Sequence, residues 1–384
     1  MTGDADLGPR LPGLENHPHA RMVLGGALVC GEPSHAYLLH GPPGTGKAAA
    51  ARAFAAELLA EGDPDPEDVR RRVFSGAHPD LTWVRPTGAH VMRVEDVEVP
   101  VIAAASRTPF EAHRRVFVLE RADTMNDEVA NRLLKTLEEP ASFVHLLLLT
   151  DAIGRVLETV VSRCQVVRFD PLPPKRIAAE LIEEGVPAAR AEACSRLALG
   201  NARRARVLAS DEGVALRGDA ERLVLDALAG EPEPGDGDEP WRALLDRAEQ
   251  RREAVEEAAA DQGERRLELE PKGRERKALE RQLEDAAKRE GRRARTEVLE
   301  LGLDLAGAAL RDLACAAEGA TEAVLGTDRV TDLERAASGR DARRLRDAVE
   351  RCDETRQSLE LNVTEDLALS ALTFRLRRLV GAGG

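Results

Sequence analysis

The sequence predicts an α/β fold, a parallel sheet covered by helices on both faces, followed by segments that are helical throughout. Three observations predict it. Short, largely apolar runs at 36–40, 116–120 and 145–150 alternate with stretches rich in alanine and leucine at helical spacing, as strands buried on both faces do. The first run ends in a glycine-rich turn that opens a helix. Beyond residue 170 no such run recurs, and apolar residues return only with helical period.

The chain has 384 residues, a length suited to two or three domains. It is 43% hydrophobic but only 3% aromatic, so its cores are expected to be built from Leu, Val and Ala. A formal charge of −14 weighs against a lone nucleic-acid binder, because phosphate neutralisation dominates that affinity. Any DNA would be handled within an assembly. The five cysteines, Cys30, Cys164, Cys194, Cys315 and Cys352, are odd in number and form no CxxC pair. That opposes a disulfide framework and a zinc knuckle, and suits a reducing cytoplasm. Met1–Arg10 has no apolar stretch of secretory type, and no run is long and apolar enough to span a membrane.

In chain order, Ala36–His40 reads as a strand, Ala48–Ala60 as a helix, and Val116–Glu120 and His145–Thr150 as further buried strands. Between the last two, Ala130, Leu133, Leu134 and Leu137 fall on one helix face. Asn126 or Asp127 can cap that helix and Pro140 ends it. A strand at Gln165–Phe169 follows. These elements make a domain over 1–170. Pro171, Pro173 and Pro174 mark a hinge, and Lys175–Ser210 reads as short helices, a small lid within 171–230. Glu231–Pro240 is an acidic Pro/Gly linker. Residues 241–295 are dense in Arg, Glu and Lys, which predicts a long solvated helical pair broken near Pro271 and Gly273, with nucleic-acid contact as the lesser reading. Linker and arm together span 231–297. From Thr296, Val298, Leu301, Leu305, Ala309 and Leu313 predict a packed helical bundle over 298–384.

Gly41-Pro42-Pro43-Gly44-Thr45-Gly46-Lys47 fits the first seven positions of a phosphate-binding Walker A loop, with a strand before it and a helix after. The glycines let backbone N–H groups turn onto phosphate oxygens. The helix N-terminus adds partial positive charge, and Lys47 adds a full one. The next position needs a hydroxyl to ligate magnesium, and Ala48 has only a methyl group. A second strand should end in Asp-Glu. Here Glu120 stands where an outer-shell carboxylate would be, and Arg121 replaces the base, although a guanidinium accepts no proton. Asp123 lies two residues on, at the wrong offset for a base. Two catalytic parts are thus missing, which predicts a degenerate ATPase holding ATP or ADP weakly if at all.

With these motifs, Asn131–Pro140 (NRLLKTLEEP), Ser162-Arg163-Cys164, Gly200-Asn201-Ala202-Arg203, His35–Leu39 and His78-Pro79-Asp80 give the chain a resemblance to the bacterial sliding-clamp-loader subunits of DNA polymerase III. The resemblance covers about residues 12–210. It implies an AAA+ nucleotide-binding domain, a helical lid and a C-terminal helical collar. It implies Arg163 as an arginine finger offered to a neighbour's nucleotide, Thr150 as the first sensor and Arg203 as the second, with Arg204 and Arg206 able to exchange for Arg203. Intact SRC beside a broken ATPase is the pattern of the delta-prime kind; gamma/tau subunits keep both ATPase motifs. Partners implied are delta and gamma/tau in a hetero-pentameric ring, with the sliding clamp and primer-template DNA reached through it. The family's four-cysteine zinc module has no counterpart in Glu61–Ala77, so no zinc is expected. An active gamma/tau-like ATPase and a nucleotide-gated interaction module unconnected with a polymerase are the competing readings.

Overall fold

A computed structural model of the chain describes residues 11, 14, 16–87, 91–230, 239–268, 273–359 and 363–381. It divides into two compact units, Met1–Pro173 with Leu199–Arg203, and Pro174–Ala198 with Arg204–Gly384.

The first unit is built on a five-stranded parallel sheet of β1 (Ala36–His40), β2 (Leu81–Val84), β3 (Arg115–Leu119), β4 (Val144–Thr150) and β5 (Gln165–Arg168), in the order β2-β3-β4-β1-β5. Period-2 alternation sends the strand residues to two separate cores. Tyr37, Leu39, Val116, Val118, Leu147 and Leu149 face α1 (Lys47–Ala60), whose Ala50, Ala51 and Phe54 are fully buried. Leu38, Phe117, Leu119, Leu146 and Leu148 face α3 (Asp127–Glu138) through Val129, Leu133 and Leu137. Between α1 and β2 lies α2 (Pro66–Ser75). It occupies the stretch where no zinc module was expected, capped by Asp65 and tied to α1 by Arg70–Glu57 at 2.7 Å. Alanine on α1 and leucine on the strands replace aromatic bulk, and helices cover both faces of the sheet. This is the α/β arrangement predicted, a parallel sheet with helices on both faces.

Within α3, Asn126 is the cap, its side chain accepting from Val129 N at 2.9 Å. Leu133 and Leu137 are buried as expected, while Leu134 is half-buried at the rim of that core.

The second unit is all-helical: α4 (Pro174–Glu183), α5 (Ala188–Leu197), α6 (Ala202–Ala209, entering from the first unit), α7 (Asp211–Ala229), α8 (Arg242–Glu268), α9 (Arg274–Ala317), α10 (Val330–Ala337), α11 (Ala342–Leu359) and α12 (Glu365–Val380). The expected linker core at 231–238 and Pro271 of the expected break lie outside the described residues, while Gly273 is described and stands at the N-cap of α9. α9 has 44 residues and is about 66 Å long. Its first half pairs antiparallel with α8: Gly291 lies against Glu256, Gly263 against Leu283, and Arg295 pairs with Glu249. Its second half is the spine of the bundle. There the structure differs in part from the expected row: Leu305 and Leu313 are buried as expected, Val298, Leu301 and Ala309 are half-buried, and Leu299, Leu303, Ala306 and Leu310 are buried as well. Packing by α7, α10 and α11 on different sides widens the apolar face beyond one heptad stripe.

Candidate functional site

Parallel register brings the ends of β1 and β4 level, His40 opposite Thr150. The loop 41–47 therefore opens beside the C-terminal end of β4, where open α/β sheets place ligands. Gly41, at φ +151°, passes so close to the Phe169 carbonyl that a Cβ would overlap it. Gly44, at φ +73°, lies directly under the Asn201 side chain, and Gly46 supplies the left-handed entry to α1. Thr45 Oγ1 donates to Pro42 O at 2.9 Å and closes the turn.

Lys47 is only 7% exposed, and its ammonium is engaged by the chain itself. It donates to Gly41 O at 2.6 Å and Pro42 O at 2.7 Å, and pairs with Asp151 Oδ1 at 2.7 Å. Ala48 is exposed on the first turn of α1. The loop thus offers phosphate a cation and a helix N-terminus, once Lys47 exchanges Asp151 for it. With a methyl at 48 it offers a magnesium ion no ligand there. Among the described residues, no three His, Cys, Asp or Glu side chains gather as a metal site.

At the end of β3, Glu120 turns toward the sheet edge, accepting from Trp83 Nε1 at 2.6 Å and Arg85 Nε at 3.0 Å. Arg52 stacks over the same Trp83 ring, 4.2 Å from its centroid. Glu120 is therefore held as a hydrogen-bond acceptor away from the loop side chains. Arg121 adopts φ 56°, a left-handed conformation rare outside glycine, and opens the turn Ala122–Thr124. That turn carries Asp123 to Thr150, whose Oγ1 donates to Asp123 Oδ1 at 2.9 Å and accepts from Ala152 N at 3.0 Å. Lys47–Asp151 and Thr150–Asp123 are two polar pairs beside the loop, brought together by the adjacency of Thr150 and Asp151 in the chain. Sequence reasoning named three of these and missed Asp151, although it directly follows Thr150. It quoted Asn201 without assigning it a place over Gly44.

Arg163 follows the helical turn Glu158–Val161. Its guanidinium pairs with Glu138 Oε1 at 2.5 Å and donates to Thr159 O at 2.9 Å, and the side chain stays 35% exposed. None of these contacts is with the loop 41–47. Cys164 beside it is half-buried, and burial pushes its thiol up to about 12, so it is protonated and unreactive at neutral pH. Of the three arginines after Gly200, Arg204 pairs with Asp304 at 2.7 Å and Arg206 with Glu184 at 2.7 Å, while Arg203 is exposed and has no ion-pair partner among the described residues. The His78-Pro79-Asp80 segment is structural. Asp80 is fully buried and its carboxylate accepts from Phe110, Glu111 and Ala112 N at 2.7, 2.9 and 3.0 Å.

Residues 17–173 match the protein family described as DNA polymerase III, delta subunit. The chain is 37% identical over 177 residues to DNA polymerase III subunit delta' of Bacillus subtilis, covering 45% of this chain and 53% of that one. It is 37% identical over 170 residues to subunit delta' of Pseudomonas aeruginosa, covering 43% and 51%. To subunit tau of Bacillus subtilis it is 31% identical over 158 residues, covering 40% and 27%. The chain thus spans about half the length of the delta' relatives it matches.

Proposed function

We propose, from the premise that the first unit of this chain resembles the delta' subunits of bacterial DNA polymerase III, that the chain is a clamp-loader subunit of the delta-prime kind. It works in a ring with delta and gamma/tau-like neighbours in the cytoplasm and helps place a sliding clamp on primed DNA. Its own phosphate loop binds ATP or ADP weakly and does not turn it over. Lys47 and the N-terminus of α1 would hold the phosphates, with Thr150 and Arg203 in the sensor positions. The lid is 171–230, the arm 231–297, and the collar that joins the ring 298–384.

The observation that carries this reading is the contrast between two sites. At the loop, Ala48 cannot ligate a metal, Arg121 cannot take a proton, and Glu120 is spent on Trp83 and Arg85. At the other, Arg163 stands half-exposed on a buttress of Glu138 and Thr159. A guanidinium so held suits bidentate contact with a neighbour's γ-phosphate, where an arginine in trans is worth roughly 10³–10⁵ in rate. A second reading, an active ATPase, is favoured only by Asp123, whose hydrogen bond from Thr150 sets a carboxylate near the loop. Hydrolysis by the purified chain alone separates the two. No turnover is expected, and steady turnover abolished by Lys47→Ala would instead establish the active ATPase.

A further inference from the structure

The hairpin of α8 and α9 is the one large feature to which the loader reading gives no task. Near the bundle its charges neutralise one another: Arg252 pairs with Glu249 and with Glu256 at 2.8 Å, and Arg295 with Glu249 and with Glu365 at 2.6 Å. Farther along, α9 carries an excess of basic residues and α8 an exposed acidic row. On α9, Lys277, Arg281, Lys288 and Arg292 are all exposed, and at helical spacing they stay within about 60° of arc along about 22 Å. Neither these four nor Arg289 beside them forms an ion pair with any described residue. Glu280, Glu284 and Asp285, all exposed, flank the row. Residues 274–295 hold nine Arg and Lys against five Asp and Glu, in a chain whose net charge is −14. On α8, Glu253, Glu257, Asp261 and Glu264 form an exposed row of the opposite sign, and no ion pair joins the two rows.

A face whose only task is solubility mixes signs so that i,i+4 neighbours pair. Like charges at that spacing weaken a helix, yet they recur at Lys277–Arg281 and Lys288–Arg292 on α9 and at Glu253–Glu257 and Glu257–Asp261 on α8, although Arg281–Asp285, Glu284–Lys288 and Asp285–Arg289 are of opposite sign. We propose that the α9 edge Lys277–Arg281–Lys288–Arg289–Arg292 is a binding surface for the phosphate backbone of duplex DNA, with the acidic edge of α8 repelling the duplex from the other side. Charge complementarity selects a polyanion, and the choice of DNA rests on the loader reading. A row of about 22 Å faces roughly six phosphates of one strand, and release of their counterions supplies a sequence-independent affinity.

The net charge of −14 opposes binding by the lone chain, but it is screened over about 10 Å at 0.1 M salt, so a local basic row can act by itself. The test therefore uses the full chain alone, a fluorescently labelled duplex of arbitrary sequence, and anisotropy over roughly 25–200 mM salt. Joint substitution Lys277→Gln, Arg281→Gln, Lys288→Gln and Arg292→Gln is expected to weaken binding at least about tenfold at low salt. It is also expected to reduce the slope of log affinity against log salt by about 3. Glu253→Gln, Glu257→Gln, Asp261→Asn and Glu264→Gln together are expected to tighten binding, so the surface is tested even if the first variant folds poorly. No binding by the unsubstituted chain would overturn the proposal. So would equal affinity and salt slope in the basic-row variant, or a dimer dissolved by either set, which would mean that the rows pair between two copies. Because no ring is used, these results leave the role of Arg163 untouched.

Discussion

At the scale of single residues, Lys47 and Arg163 occupy opposite situations. Lys47 is buried and bound to its own loop and to Asp151. Arg163 is anchored on one side and open on the other. A phosphate entering the loop must take the ammonium away from Asp151. The partner carboxylate is 48% exposed, so solvent screens the pair and its strength is about 1 kcal/mol or less. Asp151→Ala is therefore expected to raise affinity for ADP up to about fivefold, measured by calorimetry without added metal. Unchanged or weaker binding would show that the pair does not compete with phosphate. The missing hydroxyl at Ala48 and the missing base at Arg121 were legible in the sequence because each is a residue type at a fixed offset in a motif. The Lys47–Asp151 pair was not legible, since side-chain partners across 104 positions follow from sheet register, not from spacing.

At the scale of elements, β4 and α3 each do two jobs. α3 buries Leu133 and Leu137 under the sheet, receives His35 Nε2 on the Leu137 carbonyl at 3.0 Å, and ends in the Glu138 that holds Arg163. β4 carries Thr150 at one end and His145 near the other. The His145 ring is buried, with Nδ1 donating to Ser34 O at 2.9 Å and Nε2 accepting from Arg114 at 2.9 Å. Burial comes first among the causes that lower its pKa. Arg114 and His35 act in the same direction, while the Ser34 carbonyl and Glu61 oppose them. Between that lowered value and the 6.5 of an unfolded histidine, the unfolded chain binds the extra proton. The contribution to stability is thus full above about 6.5 and is lost as pH falls through the window. The melting temperature of the first unit is expected to drop between about pH 7.5 and 5.5, with a smaller drop in His145→Gln. An identical drop in the variant would remove His145 from the explanation. The three central strands were legible because each is an apolar run buried on both faces. β2 was not: Leu81–Trp83 are only half-buried at the sheet edge, and four residues give too short a run to show a period.

At the scale of the whole molecule, the chain combines an N-terminal unit with a family resemblance and a helical unit whose long hairpin the resemblance does not reach. The charged arm was legible as a helical pair from its composition. The basic excess on one edge and the acidic row on the other appear only once the pairing of α8 with α9 fixes which residues face out. No described helix is long and apolar enough to cross a membrane. The account as a whole rests on a division of labour, a silent phosphate loop and an arginine that acts on a neighbour. The most direct test is the ATPase rate of a reconstituted clamp-loader ring stimulated by primed DNA, with Lys47→Ala or Arg163→Ala placed in this chain alone. The expected result is a ring that assembles with either variant, keeps its rate with Lys47→Ala and loses a measurable share of it with Arg163→Ala. A rate that falls with Lys47→Ala and is unchanged by Arg163→Ala would contradict the account.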